Sequence, residues 1–349
     1  MQRRMGSGDL LDARGRLIES GWATEEVRRY ARRAIRAAPL RIKEWDYYCV
    51  LTDAYGLALT VADNDYLGFL AVTWLDFRTG TATSQDLLLP APMGAFQMPE
   101  SADAGDVVEE HDKVSIAYRH APGGRRLSVE APQFGGGRGL KGELFLAQPP
   151  MDRMVIATPF ARAPTAFYYN QKINCLRAEG HVDIGGERFA FTPETAFGVL
   201  DWGRGVWTYD NTWYWGSASG AVDGRLFGFN IGYGFGDTSA ASENMLFVDG
   251  KAYKLDQIKF HMPEGPPDSA PNGRPVKRAH LAGLRHSLAG PPAINCAATF
   301  LLRKAHRAFH RTCISGKSRQ PWYGTRWLMR EARSIRSWAN WAGANMPRT

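Results

Sequence analysis

From Arg41 onward, apolar and polar positions follow one another in short runs whose period is that of strands. Trp45–Thr52 and Leu57–Asp63 are rich in aromatic and β-branched residues, and Asp53–Gly56 between them carries turn residues. Tyr66–Phe77 reads as a long third strand. Val114–His120 and Arg125–Ala131 flank the hairpin signal Ala121-Pro-Gly-Gly124, and Met245–Asp249 and Lys251–Ile258 flank Asp249-Gly250. Further runs cover Gly142–Ala147, Arg153–Thr158, Phe167–Leu176, Ala178–Ile184, Glu187–Thr192 and Arg225–Tyr233. Strands recurring about every 8–12 residues predict a sandwich or barrel.

Two segments break the pattern. Thr24–Ala38 predicts a helix: Thr24 is a capping residue, Glu25 and Glu26 fall in the first turn, and five arginines between Arg28 and Arg36 form a wet face. After Phe260, Pro, Gly, Ala, Arg and His replace the alternation. Gly265–Pro275 is too rich in Pro and Gly for a ladder strand, while Ala297–Arg311 and Tyr323–Trp341 have helical composition.

The net charge of +8 on 349 residues suggests a polyanionic partner until it is located. Residues 266–349 hold 15 of the 43 basic side chains and 2 of the 35 acidic ones, a net +13, so residues 1–265 carry −5. The body is mildly acidic, and no nucleic-acid partner is expected. No apolar run reaches the ~20 residues that span a bilayer. The first residues lack the apolar core of a signal peptide. The four cysteines show no C-x-x-C spacing and read as reduced thiols, so a cytoplasmic protein is expected.

The candidate chemistry concentrates in Phe197–Gly220, where four of eleven tryptophans lie among Asp201, Arg204 and Asp210. Asp201 and Arg204 read first as a pair fixing a Gly-containing bend. Alternatively, Asp201 in an aromatic pocket has a raised pKa and acts as a general acid. Trp202, Trp207, Trp213 and Trp215 are core packing or a ligand wall, with Trp213 and Trp215 on one strand face. Tyr209 supplies a polar group at that wall. Tyr168, Asn170, Lys172 and Asn174 share a second strand face, with Asn170 and Lys172 as candidate ligand contacts. Glu243 is the second candidate acid. No phosphate loop, dinucleotide fingerprint or nucleophile elbow occurs. His306 and His310 have i, i+4 spacing but no third ligand, so neither a metal nor another cofactor is expected.

Several stretches together resemble the DUF2804 family, whose function is unassigned: Leu11–Trp22 (LDARGRLIESGW), Lys43–Tyr48 (KEWDYY), Ala62–Tyr66 (ADNDY), Asp201–Trp207 (DWGRGVW), Gly234–Asp237 (GFGD) and Glu243-Asn244. The likeness covers about residues 10–260. More distantly the arrangement is similar to lipocalin-like proteins of the AttH and carotenoid-hydratase type. The resemblance implies a mainly β fold of two consecutive antiparallel lipocalin-like barrels or sandwiches, with a short N-terminal helix and an irregular or helical tail. The expected division is 1–40, 41–150, 151–265 and 266–349. It brings no catalytic residues with it. Proteins of this family continue beyond Phe260 with strands and an acidic, aromatic end. The Arg-, Ala-, Gly- and Pro-rich tail here is what a GC-rich gene gives when its frame changes near His261–Pro267, a lineage-specific basic extension being the other reading.

Three functions follow in order. The first is binding of an apolar or amphipathic small molecule in an aromatic-lined β pocket. The second is cofactor-independent hydration or isomerisation of an isoprenoid- or lipid-like substrate, with Asp201 or Glu243 as the acid. The third is carbohydrate binding on Trp213 and Trp215.

Overall fold

The computed structural model describes residues 2–161, 163–208, 214–222, 224–233, 235–256, 258, 260–261, 268–269, 275–282 and 297–303. Three short strands lie in the N-terminal segment: β1 (Gly8–Asp9), β2 (Gly21–Ala23) and β3 (Arg28–Arg29). An antiparallel meander follows, formed by β4 (Lys43–Leu51), β5 (Tyr55–Asp63), β6 (Leu67–Asp76) and β7 (Thr81–Pro90). A second comprises β8 (Val107–Glu110), β9 (Ser115–Ala121), β10 (Gly124–Ala131) and β11 (Leu140–Ala147). Next come β12 (Met154–Phe160), β13 (Ala163–Ile184), β14 (Glu187–Phe191) and β15 (Phe197–Val206). A small sheet contains β16 (Tyr214–Val222), β17 (Arg225–Tyr233), β18 (Met245–Val248) and β19 (Lys251–Lys254).

The fold is mainly β and antiparallel, as the alternation implies. Strands from both sides of residue 150 join one curled 13-stranded sheet with the path β7-β6-β5-β4-β15-β13-β11-β10-β9-β8. The joint is β13, which is 22 residues long. Its first half pairs with β12 and β15, its second half with β11 and β14. β15 in turn pairs with β4 along its length. Every residue of β15 is buried, and so is nearly every residue of β4. Strands covered on both faces need no polar side, which is why D-W-G-R-G-V does not alternate.

A β-bulge in β13 docks the small sheet. The register with β15 shifts between Ile173 and Leu176, and Cys175 takes φ 61°. Asn174 then gives its side-chain amide to Ser217 Oγ (2.7 Å) and Ala218 O (3.2 Å), while the Cys175 N–H bonds to Ser219 Oγ (2.9 Å). Bulges re-aim side chains in this way. The hairpin expected at Asp249-Gly250 is present, with φ 48° and 77° at the two turn residues. These are the positive values that a two-residue connection needs.

The N-terminal helix expected over Thr24–Ala38 does not form. That stretch is extended, with one 3-10 turn at Arg32–Ala34. Its side chains are claimed by distant partners. Glu26 accepts from the Ala102 N–H (3.0 Å) and from Gln171 (2.6 Å). The Tyr30 hydroxyl donates to Glu44 (2.7 Å), and Arg32 pairs with Glu44 and Asp65. Local propensity is worth only tenths of a kcal/mol per residue, so such tertiary bonds override it. The arginines are therefore not one wet face.

In the tail, Ala297–Arg303 is a strand paired with Pro275–Ala282 rather than the start of a helix, and Asp268–Ser269 makes a two-residue pairing with the same strand. A β-branched and apolar run such as Ala297–Leu302 suits either element at this length. The helix expected at Tyr323–Trp341 lies outside the described residues. No helix among the described residues is long and apolar enough to cross a membrane.

Candidate functional site

Pairing across three strands places one set of side chains on the face that looks toward the small sheet. Lys172 of β13 lies opposite Asp201 of β15, which lies opposite Tyr47 of β4. One step along the strands, Asn170, Gly203 and Trp45 form the parallel row. Residues directly opposite in an antiparallel ladder share a face. Gly203 has a specific reason to lack a side chain: a Cβ there would sit 2.1 Å from Cζ2 of Trp45. The indole lies across the strand instead and brings its Nε1–H to Asp201 Oδ1 (3.3 Å).

Asp201 is held by three donors. Lys172 pairs with Oδ2, and Asn170 Nδ2 reaches Oδ1 at 2.8 Å, beside the indole of Trp45. The Lys172 ammonium also lies 3.8 Å from Glu243 Oε2 and 4.8 Å from the ring centroid of Trp215. The Lys172 side chain is 2% exposed, against 12% for Asp201 and 11% for Glu243, so the two carboxylates line the more open side. Burial raises the Glu243 pKa above its ordinary value; Lys172 opposes the shift and Asp201 adds to it. Desolvation penalises the charged form, so Glu243 is the member of the cluster biased toward holding a proton. Burial, with both carboxylates nearby, also keeps the Tyr168 phenol neutral.

Glu243 is positioned from all sides. Asn230 gives its amide to Glu243 O (2.9 Å) and, more weakly, to Oε2 (3.4 Å), and accepts from Trp215 Nε1 (2.8 Å). Lys254 bonds to the carbonyls of Ser242 and Asn244 (both 2.8 Å), and the Gln2 side chain receives the Ser242 N–H (2.8 Å). Desolvation lowers the Lys254 pKa to about 7.

The wall is aromatic. Trp45 stacks on Tyr168 with centroids 5.8 Å apart, Trp207 meets Trp45 edge-on at 5.1 Å, and Phe235 meets Tyr168 at 4.6 Å. Sequence reasoning missed Trp45, Asn230 and Phe235 as site residues. Trp45 was legible in K-E-W-D-Y-Y only as a strand residue, because the cross-strand register that sets it over Gly203 is not local information.

Trp202 and Arg204 point the other way, since β15 alternates faces. Arg204 is fully buried and bonds to Asp46 Oδ1 (2.9 Å), Trp45 O (2.8 Å) and Pro99 O (2.9 Å), with its guanidinium 4.0 Å above Trp202. The expected Asp201–Arg204 pair therefore does not exist. The segment is a strand interior rather than a bend, and each residue has its own partner on its own side. Of the proposed ligand contacts, Asn170, Lys172, Trp207 and Trp215 gather near Asp201 and Glu243, while Tyr209 and Trp213 lie outside the described residues. His306 and His310 also lie outside them, and no group of three metal-ligating side chains occurs among the described residues.

A family model described as a domain of unknown function (DUF2804) matches residues 2–271. No curated protein matches the chain. Among solved structures, a Nitrosomonas europaea protein described as AttH aligns with a TM-score of 0.43 at 15% identity, over 75% of this chain and 88% of that one. Kievitone hydratase from Nectria haematococca aligns at 0.38 and 11% identity, over 76% and 85%. Likeness at this level carries no functional argument.

Proposed function

The chain belongs to the DUF2804 family, and we propose that it is a cofactor-independent acid–base catalyst for an apolar or amphipathic small molecule bound beside Lys172, Asp201 and Glu243. The observation that supports this reading most is the contrast between the two carboxyl groups. Asp201 is fully engaged by an ammonium, an amide and an indole N–H, whereas Glu243, beside the same ammonium but hydrogen-bonded only weakly by Asn230, is biased by burial toward the protonated form. Two carboxyl groups with divergent environments are the arrangement that divides acid and base roles.

In this reading the Glu243 carboxyl donates a proton to an alkene or enol carbon of the substrate. Asp201 stabilises the cationic centre that develops. It then takes the proton lost either from a neighbouring carbon, which isomerises the substrate, or from an attacking water, which hydrates it. Lys172, paired with Asp201 and 3.8 Å from Glu243, lies on the path by which that proton returns to Glu243. Trp45, Tyr168, Trp207 and Trp215 exclude water and hold the apolar part of the molecule.

A second reading, binding without turnover, is favoured by the complete pairing of Asp201, which leaves a static floor for an amphipathic ligand. The carbohydrate reading has less support: the inner ring face of Trp215 covers Lys172 rather than standing free as a platform. Mass spectrometry of small molecules that co-purify with the full chain and with Glu243→Gln separates these readings. Catalysis predicts that the variant retains a substrate that wild type converts to a species of equal mass or one water heavier. Identical cargo in both proteins would sink the catalytic reading and leave binding. No apolar cargo in either would count against both.

A further inference from the structure

We propose that Lys254 is a positioning residue for Glu243: its ammonium holds the Ser242–Asn244 turn that carries this side chain, and its charge makes the Glu243 carboxyl a readier proton donor. The inference rests on the reading of Glu243 as the acid of the site. It adds a control from the small sheet to the one that Lys172 exerts from the large one.

The geometry begins with the β18–β19 hairpin. Its register sets Lys254 opposite Met245, and the Leu255 N–H bonds to Asn244 O (3.0 Å). Lys254 therefore stands beside the turn that precedes β18. Its Nζ reaches Ser242 O (2.8 Å), Ser242 Oγ (3.0 Å) and Asn244 O (2.8 Å), with Leu255 O further off at 3.4 Å. The carbonyl between, that of Glu243, accepts from Asn230 (2.9 Å). Three short contacts match the three N–H bonds of an ammonium, whereas a neutral amine has only two to give.

The carboxyl is tied to the turn. It packs on the backbone of Gly232, where a Cβ would stand 2.8 Å from Glu243 Cδ. The adjacent Asn244 Oδ1 takes the Gly232 N–H (2.9 Å). Gln2 braces the other end: its Oε1 accepts the Ser242 N–H (2.8 Å) and its Nε2 donates to Leu255 O (2.8 Å). A turn fixed over Gly232 in this way leaves the Glu243 carboxyl little freedom to move independently of the Lys254 clamp.

Charge couples the same two residues. Lys254 feels Asp256, just beyond β19, and Glu243 of the turn; Glu243 feels Lys172 of β13, Asp201 of β15 and Lys254. Gln2 and Asn230 are neutral. Burial lowers the Lys254 pKa to about 7, and Asp256 and Glu243 oppose that shift. Burial raises the Glu243 pKa, and Lys254 joins Lys172 in opposing it. Such coupling is reciprocal. Below about pH 7 the clamp is charged and favours release of the Glu243 proton; above it, Lys254 loses both its third N–H and that pull.

The test is a pH titration of the full-length chain by NMR. It follows the Glu243 ¹³C carboxyl signal, assigned by its loss in Glu243→Gln, and the Lys254 ¹³Cε signal, assigned by its loss in Lys254→Arg. Wild type should show a Lys254 midpoint of about 7 and a second inflection of the Glu243 signal at the same pH. Lys254→Met should raise the Glu243 midpoint. Lys254→Arg keeps the charge and should bring that midpoint back toward wild type, without the inflection. Glu243→Gln should lower the Lys254 midpoint. A purely structural Lys254 would lower the melting temperature in Lys254→Met and leave the Glu243 midpoint in place, which would overturn the proposal. A Lys254 midpoint indifferent to Glu243→Gln would overturn it equally, and that measurement decides the matter if Lys254→Met does not fold. Failure here is distinguishable from failure of the catalytic reading. Coupled midpoints with identical cargo in wild type and Glu243→Gln would uphold the coupling and remove the catalysis; converted cargo with uncoupled midpoints would do the reverse.

Discussion

Replacing Lys172 by Met removes one charge from beneath Trp215 at nearly constant volume, so the change is electrostatic rather than steric. At 3.8 Å and an effective dielectric of about 20, the Lys172–Glu243 attraction alone is on the order of 4 kcal/mol, and the direct contact with Asp201 adds to it. Not all of this is lost. Glu243, already biased toward its protonated form, holds that proton more readily still once Lys172 is gone, because two buried carboxylates side by side resist joint ionisation. The expected cost at pH 8 is the roughly 3–5 kcal/mol typical of breaking a buried pair. The sign of the pH dependence follows from the direction of the shift. Glu243 has a folded-state pKa above its unfolded value, so the fold binds the extra proton. Stability is then greatest below the unfolded value and falls as pH rises through the folded one. In Lys172→Met that window extends further upward, so the deficit against wild type should shrink between pH 8 and pH 5. Urea denaturation at the two pH values measures it. A variant within about 0.5 kcal/mol of wild type at both would refute the idea that Lys172 neutralises two buried carboxylates.

Other consequences are smaller in scope. Gly203→Ala drives a methyl into the Trp45 indole, so it should cost about 1–3 kcal/mol by overpacking and alter tryptophan fluorescence as Trp45 leaves Asp201; an unchanged melt and spectrum would contradict the placement of that ring. Lys254 has a folded pKa lowered to about 7, so its charge weighs against the fold below that pH, and stability should rise as pH climbs from 7 toward 10. Lys254→Met should flatten that rise in a denaturation series, whereas an identical slope would rule Lys254 out as its source. Burial pushes the Cys49 thiol up to about 11 and Cys175 to about 12; peptide mapping after iodoacetamide at pH 8 should find both unmodified in the native protein and modified in urea, and native labelling of either would contradict their burial.

Hairpins, strand-rich composition and the importance of the tryptophan motif were legible because each depends on neighbours in sequence: Asp249-Gly250 dictates its turn wherever it stands. The helix expected over Thr24–Ala38 was not, because Glu26, Tyr30 and Arg32 are held by Gln171, Glu44 and Asp65, side chains that come near only after the sheet forms. The site divides in the same manner. Asp201, Asn170 and Lys172 were recognisable as polar groups among aromatics, and Glu243 as an acid at a strand start after a Gly-rich turn. That Lys172 joins the two acids, and that Asp201 and Arg204 serve opposite faces, depends on strand register across β13, β15 and β4. The spacing of Asp201 and Arg204 suggested a pair only if the chain turned between them, and it runs straight.

The most direct test of the account is the titration of the Glu243 side chain itself, read from its ¹³C carboxyl signal and assigned by its loss in Glu243→Gln. The account predicts a midpoint above the ordinary glutamate value of about 4.3, raised further in Lys172→Met and lowered in Asp201→Asn, since Lys172 opposes the shift and Asp201 adds to it. A Glu243 carboxyl that titrates at the ordinary value and ignores both substitutions would contradict its role as the proton donor.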